Sequence, residues 1–300
     1  MHDGYADLAE VRLHYVEAGD GPLVVLLHGF PDFWYGWRFQ IPALAGAGFR
    51  VVAPDMRGYN LSSRPEGVAA YVPPRLAADI RDLISERGAS RAFLAGHDWG
   101  AAVAWLTAIR HPEVVERLAI LNVPHPRRMV EALRRPGRQI LRSWYMFFFQ
   151  LPWLPERVVQ ADDWRAFRRA FSDARAGAFT PADIDRYREA WSQPGAATAM
   201  LNYYRASLRR PPLRRRRQAP LTNLLPATGR SLPPVQAPTL VIWGERDRHL
   251  GAELAEPYSA DVPNLERVVL LPNASHWVQH DEPDRLSELL IDFFRPAQHG

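Results

Sequence analysis

The segment Gly96-His97-Asp98-Trp99-Gly100 has the residue types of a sharp turn that presents a catalytic side chain. Glycines on both sides of a central residue allow a strand to turn directly into a helix, which leaves that residue exposed above a sheet. An aspartate in this place can attack a saturated carbon and form an ester, whereas a serine would attack an acyl carbon. The alternative is a loop aspartate that caps the following helix.

Two further residues could complete a set of nucleophile, acid and histidine. Asp247 follows the apolar run at residues 240–243, and His276 follows the run at residues 268–271. An acid in this place can orient the histidine and stabilise its protonated form. The order nucleophile, acid, histidine along the chain is typical of one architecture of hydrolases. The simpler alternatives are an acid in an ordinary turn and a structural histidine.

The segment His28-Gly29-Phe30-Pro31-Asp32 directly follows another apolar run, residues 23–27. A turn here can direct the backbone N–H of Phe30 at a developing negative charge, and Trp99 supplies a second N–H. Loss of one such donor typically slows an enzyme by roughly 100- to 1000-fold. For this segment alone, the alternative is an ordinary turn built on glycine and proline.

Apolar runs alternate with amphipathic stretches in the first part of the chain. The runs at residues 23–27, 50–54, 93–95 and 117–121 predict strands covered on both faces, and residues 11–16 alternate as a half-exposed strand does. Helices are predicted at residues 75–86 and 101–109. This alternation predicts an α/β fold with a mostly parallel sheet, whose sites lie at the carboxyl ends of the strands.

The pattern of apolar residues changes between about residues 127 and 236, where we find no apolar run typical of a buried strand. Helices are predicted there at residues 162–171, 181–191 and 196–207, the second with Thr180 as its cap. Buried strands return at 238–243 and 266–271, followed by a helix at 284–294. The sequence therefore predicts a core from residues 1–126 and 237–300, with a helical cap from residues 127–236.

Taken together, these motifs resemble those of an α/β-hydrolase of the epoxide hydrolase type, with haloalkane and fluoroacetate dehalogenases as near relatives. The resemblance covers essentially the whole chain, from His28-Gly29-Phe30-Pro31 through the aspartate turn to His276. It implies an α/β-hydrolase fold, a twisted and mostly parallel sheet flanked by helices, with an inserted helical cap. It also implies that Asp98 is the nucleophile and that Asp247 orients His276.

Two cap segments are similar to those that carry paired tyrosines over the nucleophile of epoxide hydrolases. Tyr145 lies in the first, residues 143–150, and Tyr204 lies in the second, where the adjacent Tyr203 is an alternative. A phenol stays protonated near neutral pH and can donate to the alkoxide of an opening epoxide, whereas a halide needs no proton. Among relatives, Trp99 in place of an arginine argues against a fluoroacetate dehalogenase, and Phe30 in place of an asparagine argues against a haloalkane dehalogenase.

The resemblance implies that a small hydrophobic epoxide and water give a vicinal diol through an ester on Asp98, without metal or organic cofactor. The side chains expected to contact substrate are mostly apolar: Phe30, Pro31, Asp32, Trp34, Trp99, Phe147 and Phe148. The nearest alternative is a haloalkane-type dehalogenase that uses the same nucleophile. A non-enzymatic scaffold would have no reason to keep Asp98, Asp247 and His276 together.

The composition limits the other classes of function. The chain has 300 residues, a net charge of +4 and no cysteine, which excludes disulfides and thiolate sites. No apolar run is long enough for a membrane span and the N-terminus lacks a secretory pattern, so we expect a cytoplasmic protein. All basic residues are arginine, and the run Arg209 to Arg217 has no interleaved aromatics, so we do not expect nucleic-acid binding. An arginine-rich cap could mediate a homodimer.

Overall fold

The protein was analysed as a computed structural model, which describes residues 1–134, 137–209 and 232–295. Within these residues, eight strands form one sheet in the order β1-β2-β4-β3-β5-β6-β7-β8. The first two strands pair antiparallel with each other, β2 pairs antiparallel with β4, and the remaining neighbours are parallel. The strands are β1 (His2–Asp7), β2 (Arg12–Ala18), β3 (Leu23–Leu27), β4 (Arg50–Pro54), β5 (Ala92–His97), β6 (Val115–Leu121), β7 (Thr239–Gly244) and β8 (Leu265–Leu271).

Helices cover both faces of the sheet. On one face, α1 (Gln40–Gly46) and α11 (Pro283–Phe294) pack against alternate strand residues such as Val24 and Leu26. On the other face, α2 (Pro73–Glu86) and α3 (Trp99–Arg110) pack against the intervening residues. Because both faces are buried, the central strands need apolar residues throughout, and the prediction of a mostly parallel sheet between helices is confirmed.

Among the described residues between β6 and β7 there are six further helices, and we call them the cap helices. They are α4 (Pro126–Arg134), α5 (Arg138–Arg142), α6 (Trp144–Phe148), α7 (Leu154–Ala170), α8 (Pro181–Trp191) and α9 (Ala196–Leu208). Thr180 accepts a hydrogen bond from the Asp183 backbone while the Asp183 carboxylate accepts from the Thr180 backbone, which is a capping box. The short α10 (Val278–Asp281) follows His276.

Three elements differ from the sequence expectations. Strand β8 is at the sheet edge and largely exposed or half-buried, so the prediction of a buried strand at 266–271 is wrong in that respect. Helix α7 consists of two helical segments separated by non-helical backbone from Ala161 to Trp164, so the helix expected at residues 162–171 is preceded by a segment from Leu154 that the sequence did not predict. The polar strand β1 had no apolar pattern, since it pairs only at the opposite edge.

The cap helices and the sheet share one hydrophobic core, in which Trp99 of α3 contacts Tyr203 and Tyr204 of α9. Buried polar contacts join the same two layers. Three of them run from the cap to loops after β3 and β4: Tyr203 Oη donates to Arg57 O at 2.8 Å, Trp191 Nε1 to Pro31 O at 2.6 Å, and Tyr187 Oη to Asp32 Oδ1 at 2.8 Å.

Candidate active site

Asp98 lies at the turn between β5 and α3, with φ of 48° and ψ of −122°, a conformation that is strained for a residue with a side chain. The two glycines of the motif allow this turn because, without a Cβ atom, they let neighbouring backbone segments come close. A Cβ atom at Gly96 would lie 2.4 Å from the carbonyl oxygen of Gly100, and one at Gly100 would lie 2.1 Å from the carbonyl oxygen of Leu27. The sequence motif therefore lies where a strand meets a helix.

The carboxylate of Asp98 has a different partner at each oxygen. Its Oδ1 accepts a hydrogen bond of 2.7 Å from the backbone N–H of Phe30, and its Oδ2 lies 3.6 Å from His276 Nε2. Burial acts to raise the pKa of Asp98, but His276 and the Phe30 N–H outweigh it and hold the pKa below its usual value. Asp98 is therefore ionised at neutral pH.

Behind His276, Asp247 has both carboxylate oxygens occupied. His276 Nδ1 lies 2.7 Å from Oδ2, and Asn122 Nδ2 donates to the same oxygen at 2.7 Å. The backbone N–H groups of His249 and Leu250 donate to Oδ1 at 2.7 and 2.8 Å. Burial would raise the pKa of Asp247, but His276 and these donors lower it, so the carboxylate stays charged. Such a carboxylate fixes the orientation of the imidazole.

The protonation of His276 depends on the two carboxylates. Burial favours the neutral imidazole, but the charges and hydrogen bonds of Asp247 and Asp98 outweigh burial and raise the pKa of His276 well above its usual value. Before any substrate reacts, His276 is therefore an imidazolium that lies between the carboxylates of Asp98 and Asp247. Loss of charge at Asp98 would remove part of what keeps His276 protonated.

Two cavity lobes meet at Asp98. Asp98, Tyr145 and Tyr204 border both of them. The larger lobe has a volume of about 430 Å³ and the smaller lobe about 80 Å³. Apolar and aromatic side chains line most of the larger lobe, among them Phe30, Phe148, Phe149, Phe167 and Trp277, and most of the smaller lobe, among them Trp99, Val123, Met129, Met146 and Leu250.

The two cap tyrosines border the same lobes as Asp98. Their ring centroids are 5.8 Å apart, and Tyr204 makes edge contacts with both Phe30 and Trp99 at 5.1 Å. Burial, with the charge of Asp98 adding to it, raises the pKa of both phenols far above the usual value, so both stay protonated. Tyr203 borders neither lobe, because its hydroxyl donates to Arg57 O below the cap.

The structure places four of the expected substrate contacts away from both lobes. Phe147 on α6 is 48% exposed, whereas its neighbour Phe148 lines the larger lobe, because adjacent helical residues point in different directions. Trp34 is half-buried behind the Phe30 turn, where its backbone N–H donates to Asp55. The expectation of substrate contact is therefore corrected for Phe147 and Trp34.

The expectation of substrate contact is also corrected for Pro31 and Asp32. The carbonyl oxygen of Pro31 accepts the indole N–H of Trp191, and the side chain of Asp32 is only 1% exposed. Asp32 accepts hydrogen bonds from the Tyr187 hydroxyl and the Phe33 N–H. These residues of the motif join the turn to the cap instead of lining the site. Phe30 and Trp99 border the lobes as expected.

Three residues at or beside the site were missed in the sequence. The His249 ring lies between His276, at 5.2 Å, and Tyr145, at 5.9 Å, although it is two residues from Asp247 in the chain. Asn122 could have been found, because it is the first residue after β6 and hence at the carboxyl edge of the sheet. Phe167 could not have been found, since nothing in the α7 sequence indicates which face of this helix covers the site.

Two other features bear on the sequence expectations. Within residues 1–134, 137–209 and 232–295, no three histidine or carboxylate side chains are grouped as metal ligands, and no helix is long and apolar enough to cross a membrane. The arginine run falls beyond Arg209, outside the described residues.

Comparison with known proteins places this geometry in a family. A family model described as the alpha/beta hydrolase fold matches residues 22–283. The chain is 42% identical to the AB hydrolase superfamily protein YfhM of Bacillus subtilis, over 95% of both chains, and 37% identical to Epoxide hydrolase 4 of Homo sapiens, over 95% of this chain and 76% of that one. A crystal structure of Bacillus megaterium epoxide hydrolase in complex with an inhibitor matches 97% of this chain and 99% of its own, with 34% identity and a TM-score of 0.85.

Proposed function

The chain belongs to the alpha/beta hydrolase fold family and to its epoxide hydrolases, and on that premise we propose that it converts hydrophobic epoxides and water to vicinal diols through an ester on Asp98. One observation carries the mechanism. The ionised carboxylate of Asp98 borders the same two lobes as two protonated phenols, Tyr145 and Tyr204. A nucleophile for carbon and proton donors for oxygen thus face one space.

In the first step, Asp98 attacks an epoxide carbon and the C–O bond to that carbon breaks. Oδ2 is the attacking oxygen, because Oδ1 is held by the Phe30 N–H. The released oxygen takes a proton from Tyr145 or Tyr204, which leaves a hydroxyalkyl ester and a phenolate. The proton on His276 restores the phenol through water, so the imidazole becomes neutral.

The second step needs a neutral His276, and the first step produces one. Esterification removes the charge at Asp98, one of the groups that raise the pKa of His276. His276 then takes a proton from water as the oxygen attacks the ester carbonyl carbon, and the Phe30 N–H and Trp99 N–H stabilise the oxyanion at Oδ1. Collapse of this tetrahedral intermediate releases the diol. Of the two protons of the attacking water, one leaves with the diol and the other stays on His276, so Asp98 is again a carboxylate and His276 is again an imidazolium.

The two lobes favour substrates with substituents of unequal size. A bulky apolar group fits the larger lobe of about 430 Å³, and a small group or hydrogen fits the smaller lobe of about 80 Å³. Terminal aryl and alkyl epoxides have this shape, and the aromatic lining favours apolar groups.

A single turnover in H₂¹⁸O tests the ester. With enzyme in excess over styrene oxide, we expect ¹⁸O in the peptide that contains Asp98 and none in the first diol formed, because water attacks the ester carbonyl. With His276→Gln, the ester should accumulate as a mass increase on the same peptide. The folded variant Asp98→Ala is the control and should form neither adduct nor diol.

Labelled diol in the first turnover would mean direct attack by water and would overturn the proposal. Halide release from short haloalkanes without any diol formation would instead indicate a dehalogenase.

Paired tyrosine variants test the proton donors. Tyr145→Phe and Tyr204→Phe should each slow ester formation by roughly 100-fold, and the double variant should abolish it, since general acids contribute on that order. Tyr203→Phe is a matched control, because that hydroxyl borders neither lobe. Unimpaired epoxide opening in the double variant would contradict the assignment.

A further inference from the structure

Exposed apolar side chains concentrate on one part of the cap. Among the described residues, thirteen large hydrophobic side chains are exposed, and seven of them lie between residues 141 and 158. Leu141, Trp153 and Trp144 are 74%, 62% and 63% exposed. We call the set Leu141, Trp144, Phe147, Leu151, Trp153 and Val158 the cap patch. Exposed apolar side chains that are concentrated in one segment in this way, with three of them at one cavity, are typical of an interaction site.

The cap patch continues into the active site. Leu141, Trp144 and Val158 line the larger lobe as well as lying on the surface, so one part of the patch lies at the rim of that lobe. A surface or molecule that covers the cap patch therefore also lies at the entrance of the larger lobe, which leads to Asp98.

The same surface carries positive charge that the described residues do not neutralise. Within the described part of the chain, Arg138, Arg142, Arg157 and Arg169 have no carboxylate partner. The Arg157 guanidinium lies 5.2 Å from the centroid of the Trp153 ring. Three acids of the same part of the cap are already paired: Glu156 with Arg205, Asp162 with Arg165, and Asp163 with Arg188.

The geometry points to an anionic lipid surface as the occupant: we propose that the cap patch docks on anionic phospholipid and that hydrophobic epoxides enter the larger lobe from it. Tryptophan and arginine together suit the boundary of a bilayer, where rings and aliphatic stems bury while charges meet headgroups. The contact is peripheral and needs no spanning helix. Docking does not depend on the proposed reaction, whereas entry of the epoxide from lipid rests on it.

A second copy of the chain fits this surface less well. A symmetric dimer through the cap patch would bury Arg138, Arg142 and Arg157 in one interface with the same three arginines of the other copy, and it would close the larger lobe. An acidic partner protein would close the lobe in the same way. A lipid surface instead satisfies the charge and supplies apolar substrate at the rim.

Vesicle flotation tests the docking. Wild-type protein should float with equimolar phosphatidylcholine and phosphatidylglycerol at low salt, and less with phosphatidylcholine alone or at high salt. Leu151→Ser with Trp153→Ser, which lie outside both lobes, should lower partitioning by about tenfold or more because two apolar groups are lost. Arg138→Gln with Arg157→Gln should lower it by about fivefold per arginine and flatten the salt dependence.

Two controls separate the cap patch from other surfaces. Leu61→Ser with Leu270→Ser removes comparably exposed apolar groups elsewhere and should leave partitioning unchanged. Glutamine at Arg214 to Arg217 removes the arginine run seen in the sequence and should leave most of the binding. The proposal would be overturned if binding were lost only in the glutamine variant of Arg214 to Arg217. It would also be overturned if the Leu151 and Trp153 variant bound vesicles as well as wild type does.

Activity assays separate docking from the reaction. The Leu151 and Trp153 variant should hydrolyse a water-soluble epoxide at the wild-type rate and a vesicle-dissolved epoxide about tenfold more slowly. Failure of wild type on both substrates would contradict the proposed function while leaving the flotation result valid. A dimer detected by light scattering that this variant dissolves would show that a second copy covers the patch, which would overturn lipid docking.

Discussion

The charge of Asp98, together with that of Asp247, favours the protonated form of His276. The carboxylate of Asp98 lies 3.6 Å from His276 Nε2, and its charge is one of the influences that raise the pKa of His276. In the proposed mechanism, Asp98 loses its charge when the ester forms, and this loss also favours the neutral His276 that the second step needs. The arrangement couples the order of the two steps to electrostatics instead of to movement.

Asp98→Asn tests this coupling without substrate. We expect the pKa of His276 to fall relative to wild type, because one of two neighbouring carboxylates becomes neutral, and to stay above the usual range because Asp247 remains. NMR titration of the imidazole protons measures it. Identical titration in both proteins would mean that Asp247 alone governs His276.

Asp32 is another buried acid, and it lies in a chain of contacts from the cap helices to His276. Burial raises its pKa to about 7. Asp32 Oδ2 and Gln279 Oε1 are both buried acceptors without a donor, although Asp32 and Gln279 interact. A proton on Asp32 would satisfy both acceptors. Gln279 in turn contacts His97, whose Nε2 lies 2.8 Å from the carbonyl oxygen of His276.

Asp32→Asn should change how stability depends on pH. The protonated carboxyl stabilises the fold fully below about pH 4, and this contribution is lost as the pH rises toward 7. The amide keeps an acceptor for Tyr187 and offers a donor to Gln279, so we expect the variant to gain on the order of 1 kcal/mol or more at pH 8 and less at pH 5. Urea unfolding at both values measures the difference, with exposed Asp20→Asn as control.

At this scale, residue types were predictable and side-chain directions were not. Asp98, Asp247 and His276 each follow an apolar strand, and the ends of parallel strands meet at one edge, so the sequence could bring them together. Nothing in the run of aromatics distinguishes Phe147, which faces outward, from Phe148, which lines the larger lobe. That choice depends on packing by distant residues.

At the scale of elements, the turn from β5 to α3 is held by contact between backbones. The N-terminus of α3 lies so close to the end of β3 that a side chain at Gly100 has no room. Buried strands such as β3 were predictable because burial on both faces imposes an apolar run. The edge strand β8 and the start of α7 were not, since a single covered face or an irregular helix imposes a weaker pattern.

Gly100→Ala should destabilise the protein by roughly 2–4 kcal/mol, because the new Cβ would lie 2.1 Å from Leu27 O and 2.5 Å from His28 O, neither of which can move alone. Gly46→Ala in α1 is the matched control. No atom lies within 4 Å of a Cβ there, so it should be neutral or gain roughly 0.5–1 kcal/mol. Urea denaturation measures both, and equal stability of the two variants would contradict the packing argument.

At the scale of the whole molecule, the cap helices and the sheet do not have separate interiors. Phe167 and Tyr203 of the cap belong to the same hydrophobic core as Val25 and Leu94 of the sheet. The hydrogen bonds of Tyr187, Trp191 and Tyr203 to the loops after β3 and β4 reinforce that union. The helices at 181–191 and 196–208 were predictable from the sequence, but the core that they share with the sheet was not, because contacts between distant segments leave no local pattern.

We therefore expect one cooperative unfolding transition. The slowest amides of α9 and of β5 should show the same denaturant dependence in hydrogen exchange, since neither layer keeps its core without the other. Mass spectrometry of peptides from both elements measures this. Earlier exposure of α9, with β5 still protected, would show that the cap opens by itself.

The unequal lobes on either side of Asp98 have a stereochemical consequence. A chiral oxirane that places its bulky substituent in the roomier side presents one particular carbon to the carboxylate, and its mirror image presents the other carbon or clashes. A racemate should therefore be kinetically resolved, with one antipode left behind at partial conversion, as chiral chromatography would reveal.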